Sequence, residues 1–371
     1  MGAAAGQNWS LGGRPVSRFP GVNSSTIRAR GKSEENLLNA VNSSMPSAGD
    51  AAGFRTITDS FVRELRVHCY RMLGSAQDAE DALQETLLAA WRGLAAYEGR
   101  ASLRTWLYRI ATNRCLDARR AASRRPAKQW DVPALVPRPS GYGEVTWLEP
   151  FPDSLLDGAD GAHPGPAARY QQAEAISLAF VVALQTLPPR QVAVLILRDV
   201  LDFHASEVAD MLDTTLDAVN GALKRARASM QQRFRGEHEG RSIPAGGSPN
   251  EQAVVARFVK AWEGANIDAL VELLTDDVFI SMPPIPYEYR GRVEVIDFCA
   301  SLFAAGRRFD LVPSRANGQP AFGVYLRSAS GSRPGVGMYV LEIDNNQVRA
   351  MTRFEAGLLL RFDLPRQLLG R

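Results

Sequence analysis

The sequence predicts a multidomain chain in which two all-α domains precede a smaller C-terminal α+β domain, and three observations carry that prediction. Apolar residues recur at helical spacing through residues 54–128 and again through 169–235. Proline and glycine punctuate the chain between and after these blocks. From residue 251 onward, helical stretches alternate with short β-rich runs bounded by turn residues. The expected division is a disordered tail over 1–50, a helical domain over 54–128, an acidic Pro/Gly-rich linker over 129–168, a second helical domain over 169–235, a hinge over 236–250 and the α+β domain over 251–371.

The chain has 371 residues, a formal net charge of +3 and three cysteines. So small a net charge identifies no partner, and the placement of charge matters instead. Cys69, Cys115 and Cys299 match no zinc or redox spacing, which points to reduced, buried thiols and a cytoplasmic setting. No apolar run reaches the roughly 18 residues of a membrane span, and no export signal stands at the N-terminus. No metal site, cofactor motif or catalytic constellation is evident, so none is expected.

The first domain carries a helix over DAEDALQETLLAAW, residues 78–91. Ser75 followed by Asp78 reads as a capping box, so the helix starts near Ala76. Ala79, Ala82, Leu83, Thr86, Leu87, Ala90 and Trp91 form its inward stripe, and Asp78, Asp81 and Glu85 line the opposite side. From spacing alone, a solvated face whose acids serve the cap is the simpler reading. The following helix turns basic. In SLRTWLYRIATNRCLDARRAASRRPAK, Leu103, Trp106, Leu107 and Ile110 face inward, while Arg100, Arg104, Arg109, Arg114, Arg119, Arg120, Arg124, Arg125 and Lys128 stand against the single acid Asp117. That is a footprint for phosphate backbone, and the interleaved Tyr97, Trp106 and Tyr108 suit stacking on unpaired bases, although core packing is the simpler role for Trp106.

These two motifs, in this order and spacing, resemble region 2 of the extracytoplasmic-function (ECF) sigma factors of bacterial RNA polymerase. The resemblance implies that Asp78, Asp81, Gln84 and Glu85 dock on the β′ coiled coil of core polymerase. It also implies that the next helix binds and helps melt the −10 promoter element, with Tyr97 near a flipped base, Asn113 reading a base through its amide, and Arg104, Tyr108, Arg109, Arg114, Arg119 and Arg120 adding contacts.

In the second domain, SEVADML, the turn Asp213 to Thr215, and a helix from Leu216 to about Met230 have the form of a helix-turn-helix. Val208, Ala209, Leu212, Val219 and Leu223 let the two helices close-pack, and Lys224, Arg225 and Arg227 leave the second one toward solvent. The stretch, with the motif over 204–223, is similar to region 4 of the same sigma factors. That similarity implies −35 contacts from Asn220, Lys224, Arg225 and Arg227, and contact with the β flap. The helix departs from the family's commoner GTVKSRLxRAR form, reading DAVNGALKRAR; Asp217 and the missing basic side chains weaken the expected backbone contacts. His204 reads as a capping or solvent-facing residue.

In the linker, Asp153, Asp157 and Asp160 suit a path built for RNA, while Trp147 and Phe151 read as anchors, with the C-terminal domain one candidate for what they grip. That domain opens with two helices and a strand ending in Pro283-Pro284, continues with YRGRVEVIDFCASLF as a third helix, and ends in strands PAFGVYLRS, VGMYVLEID and VRAMTRFEA, the last two joined at Asn345-Asn346. This order resembles the SnoaL-like, NTF2-like cone, a bent sheet wrapped around helices and a pocket. Asp277, Glu288, Asp297 and Arg315 are its candidate lining residues, but no acid/base pair with a supporting histidine stands out. The resulting expectation is an alternative, non-enzymatic sigma factor that acts with core RNA polymerase and promoter DNA and is regulated in cis by its C-terminal domain. It leaves room for an anti-sigma factor and for a small ligand in that domain, and expects no membrane association. A ligand-responsive helix-turn-helix regulator, or a fusion to an active isomerase or cyclase, is the alternative.

Overall fold

The structure, a computed structural model, describes residues 50–122, 137–143, 148–156, 176–234, 244 and 246–369. The expected tail over 1–49, the linker residues Trp147, Asp157 and Asp160, and Arg124, Arg125 and Lys128 lie outside the described residues.

Three helices make the first domain: α1 (Ala51–Leu73), α2 (Ala76–Gly93) and α3 (Leu103–Ala122). The Asp50 carboxylate accepts from Gly53 N at the start of α1, and Gly74, at φ +75°, ends it in the left-handed conformation that glycine adopts without a Cβ clash. Ser75 Oγ then accepts from Asp78 N at 3.1 Å and starts α2. Leu65, Cys69 and Met72 of α1 pack with Ala79, Leu83 and Ala90 of α2 and Leu103, Leu107, Ala111 and Cys115 of α3. Periodicity and caps therefore agree on this bundle.

The second domain has α4 (Leu178–Gln185), α5 (Pro189–Leu195) running into a π-helical turn (Ile196–Val200), α6 (Ala205–Met211) and α7 (Leu216–Arg233). The α6–α7 turn holds Asp213 at φ +46°, and Thr215 Oγ1 accepts from Ala218 N to cap α7. This is the helix-turn-helix expected from the sequence.

The C-terminal domain packs α8 (Pro249–Glu263), α9 (Ile267–Leu273) and α10 (Arg292–Ala304) into one face of a bent sheet. Its strands are β1 (Gly141–Tyr142), β2 (Leu274–Met282), β3 (Ile285–Arg290), β4 (Phe309–Ala316), β5 (Gln319–Leu326), β6 (Arg333–Asp344), β7 (Gln347–Phe354) and β8 (Gln367–Leu368), in the order β1-β3-β2-β7-β6-β5-β4 with β8 on β6. Among the described residues only β2 and β7 run parallel. Four strands escape the sequence reading: the two-residue β1 and β8, and the longer β3 and β4. In β3, IPYEYR, burial does not alternate cleanly, and the third helix begins after Gly291 rather than at Tyr289. In β4, FDLVPSRA alternates only from Phe309 to Val312, and its proline and two charges break the apolar signal.

The linker adds β1 to the edge of β3, pairing Gly141 with Glu288 and Tyr142 with Tyr287. The described residues therefore form two hydrophobic cores rather than three. One fills the inside of the cone with Phe258, Trp262, Phe303, Phe309, Phe322 and Tyr339. The other is shared: both helical domains, Leu148 and Phe151 of the linker, and Ala321, Met338, Val340 and Phe354 of the sheet's outer face pack as one cluster. Each large apolar side chain fully buried contributes about 1.5–3 kcal/mol, so this shared core fixes the domains against one another.

Candidate functional site

Asp81, Gln84 and Glu85 are exposed along α2, with Leu88 exposed beside them. Asp78 is half-buried in the first turn. Glu80, the remaining acid, turns to Arg66 at 2.8 Å and belongs to the bundle. The N-terminus of this helix is held from outside the domain. The linker residue Glu149 places Oε2 2.9 Å from Gln77 N and 3.0 Å from Ser75 Oγ, a carboxylate at a helix N-terminus where the dipole favours it. Arg361, in the 3-10 helix Ala356–Phe362, donates to Gln77 Oε1, and Gln77 in turn donates to Asp81.

The basic helix α3 is in contact with the helix-turn-helix. Arg104 lies over the rings of Tyr108 (5.0 Å) and Phe203 (4.4 Å) and donates to Leu201 O. Thr105 Oγ1 donates to Glu207 at 3.2 Å, Asn113 Nδ2 to Met211 O at 3.4 Å, and Arg109 stands 3.7 Å from Asp213. Arg109, Asn113, Arg114 and Arg120 remain exposed, Arg120 beside Asp117.

Two residues expected at the −10 element sit elsewhere. Tyr108 is fully buried against His68 and Phe203, donating to Glu64, and burial raises its hydroxyl pKa; no ring face is open to a base. Arg119 donates to three backbone carbonyls, Met72 O, Gln185 O and Leu187 O, so it ties α1 to the α4–α5 loop, and burial lowers its pKa. Tyr97 is half-buried, its ring 4.9 Å from Trp106 and its hydroxyl donating to Ala101 O. Beneath α3, His68 Nε2 meets Thr112 Oγ1 at 2.9 Å; burial first, then Arg71 and Arg104, lowers its pKa to about 3.

On α7, Asn220, Lys224 and Arg225 point to solvent. Arg227 does not: it forms a bidentate pair with the buried Asp199, Nε to Oδ2 at 2.8 Å and a terminal nitrogen to Oδ1 at 2.6 Å. Its charge is committed to holding α7 on the π-helical turn. His204 leads into α6, its backbone N donating to Glu207 Oε2.

A four-way polar junction that sequence reasoning missed joins the domains. Asn317, fully buried in the β4–β5 turn, accepts from Phe151 N at 2.8 Å and donates to Tyr70 Oη and Ile176 O. Tyr70 Oη donates to Glu149 O, and the Phe151 ring lies 4.7 Å from that of Tyr70. Phe151 is thus an anchor, as expected, gripping both the C-terminal domain and α1. Arg315 flanks the junction, bonded to Glu251 (2.6 Å) and Asp153 (3.3 Å). The Asn317-Gly318 pair is the one sequence signal that marks the turn. The four acid and base candidates of the C-terminal domain do not converge: Asp277 pairs with Arg349, Glu288 with Arg290 and Arg315 with the linker, while Asp297 is exposed. Among the described residues no group of three or more His, Cys, Asp or Glu could hold a metal.

Comparison with known proteins gives this geometry its family. Sigma-70 region 2 matches residues 57–125, sigma-70 region 4 matches 177–230, and the SnoaL-like domain matches 255–361. The chain is 40% identical to the ECF RNA polymerase sigma factor SigG of Mycobacterium tuberculosis over 340 residues, 88% of each chain. It belongs to the ECF RNA polymerase sigma factors. SigW of Bacillus subtilis is 27% identical over 191 residues, 50% of this sigma factor and 91% of that one. The crystal structure of the M. tuberculosis sigma factor SigJ shares the fold, with a TM-score of 0.51 and 22% identity, covering 80% of this chain and 96% of that one. The chain is therefore an alternative sigma factor that directs transcription initiation, with a SnoaL-like domain as its third part.

Proposed function

We propose that this sigma factor docks on the β′ coiled coil of core polymerase through Asp78, Asp81, Gln84 and Glu85, and opens the −10 element with α3. In this reading Asn113 reads a base, Arg104, Arg109, Arg114 and Arg120 hold phosphates, and Tyr97 supports a flipped base. Asn220, Lys224 and Arg225 of α7 face the −35 element, with Arg227 as the residue that positions them, and the second domain meets the β flap. The chain works in the cytoplasm, where its polymerase is; no helix among the described residues is long and apolar enough to cross a membrane.

The C-terminal domain regulates this activity in cis, by holding the helix-turn-helix against α3. One observation carries that reading: Arg104, Arg109 and Asn113, three of the side chains assigned to the −10 element, touch the second helical domain, while Asp81, Gln84 and Glu85, assigned to polymerase, are exposed. Bond chemistry in the C-terminal domain has no support from its scattered ionisable groups or its aromatic-filled interior. An anti-sigma factor would compete for the same exposed acids. Reconstitution with sigma-free core polymerase tests the reading: the full chain should initiate at its own promoters, and Asn317→Ala should raise initiation. Binding to operator DNA without recruitment of core would instead favour a plain helix-turn-helix regulator.

A further inference from the structure

A cavity of about 160 Å³ lies between the second helical domain and the outer face of the cone's sheet, away from the aromatic-filled interior. Such a volume is close to the ~150 Å³ of an engineered cavity that admits a benzene ring. Leu148 of the linker, Val182 of α4, Phe234 after α7 and Val340 of β6 give it an apolar wall. Its charged rim carries three arginines, Arg233, Arg290 and Arg349, against two glutamates, Glu288 and Glu342.

Two of those arginines are already answered: Arg290 bonds Glu288, and Arg349 bonds Asp277 and Glu342. Arg233, on the last turn of α7, has no hydrogen-bond or ion-pair partner among the described residues. Ser281 Oγ donates to Thr352 Oγ1 at 3.3 Å on the sheet floor, which leaves the Thr352 hydroxyl as a neutral donor nearby. An apolar wall, one guanidinium without a protein partner among the described residues and a hydroxyl donor suit a small anion with a compact apolar body.

We propose that this cavity binds a small monocarboxylate, its apolar body against Leu148, Val182 and Val340 and its carboxylate at Arg233. Because helix-turn-helix domain, linker and sheet each supply part of the wall, an occupant is held only while the domains stay together. By linkage it stabilises the closed chain. That consequence rests on the cis-regulation reading above; the site does not.

The test titrates the full chain with benzoate and its neutral isostere benzamide, by calorimetry. Saturable benzoate binding is expected, about tenfold tighter than benzamide, which corresponds to one charge-assisted contact. Arg233→Gln, an exposed position, should lower benzoate affinity by a similar factor, and Ala179→Trp, at the cavity wall, should abolish it. Absence of saturable binding, equal binding of benzamide, or an unchanged Arg233→Gln affinity would overturn the site. Run-off transcription separates the two ideas. Benzoate binding with no effect on initiation contradicts the regulatory reading alone, and Asn317→Ala raising initiation in a chain that binds no benzoate contradicts the site alone.

Discussion

Asn317 Nδ2 donates to the Tyr70 hydroxyl at 2.8 Å, joining the β4–β5 turn of the cone to the first helix of the sigma fold across 247 residues of sequence. Both side chains are fully buried, and the same Asn amide holds Phe151 N and Ile176 O. Asn317→Ala should therefore strand several buried polar groups and destabilise the chain by about 2–4 kcal/mol, at about 1–3 kcal/mol per unsatisfied group. Tyr70→Phe removes one hydroxyl and should cost about 1–2 kcal/mol. Urea denaturation measures both, and both variants should raise run-off transcription if the junction restrains the helix-turn-helix.

Asp81→Lys with Glu85→Lys reverses two exposed charges on α2. Surface changes of this kind alter stability by about 0.5 kcal/mol or less, so the melting temperature should hold. Capture of sigma-free core polymerase should fall at least tenfold, and undiminished capture would remove α2 as the docking face.

The Arg227–Asp199 pair makes an asymmetric prediction. Arg227→Gln leaves a buried carboxylate without its cation and should cost about 3 kcal/mol. Asp199→Asn leaves a guanidinium that is 42% exposed, which water can solvate, and should cost less. Lys224→Ala, at an exposed position, should leave stability unchanged and lower the salt slope of −35 binding by about 1.

His68 sets a pH dependence. Its folded pKa of about 3 lies below the ordinary value of 6.5, so below 6.5 the unfolded chain takes up a proton that the folded chain refuses. The stability is present above pH 6.5 and is lost as pH falls toward 3, by about 2 kcal/mol between pH 7 and pH 5. His68→Gln should flatten that slope in denaturation curves collected across this range.

Much of this was legible in the sequence because the signals are local. The Ser75 cap, the stripe from Ala79 to Trp91 and the turn at Asp213 each specify a conformation from a few neighbouring residues, and all three stand as read. What escaped depends on distant partners. Tyr108 reads as an interleaved aromatic until His68 and Phe203 close over it, and Arg227 reads as a free cation until Asp199 is folded beneath it. Arg119 misleads for the same reason: its three acceptors are backbone carbonyls, which leave no trace in composition. Asn317 and Glu149 bind groups far away in the chain, so no spacing rule marks them.

The most direct test of the closed arrangement is a distance between spin labels at Arg114 on α3 and Asp210 on α6, both exposed and each next to a residue of the Asn113–Met211 contact, in the free full-length chain and after addition of sigma-free core polymerase and promoter DNA. The account predicts one short distance in the free chain that is replaced by a longer one in the initiating complex. A complex that initiates transcription with the short distance intact would contradict it.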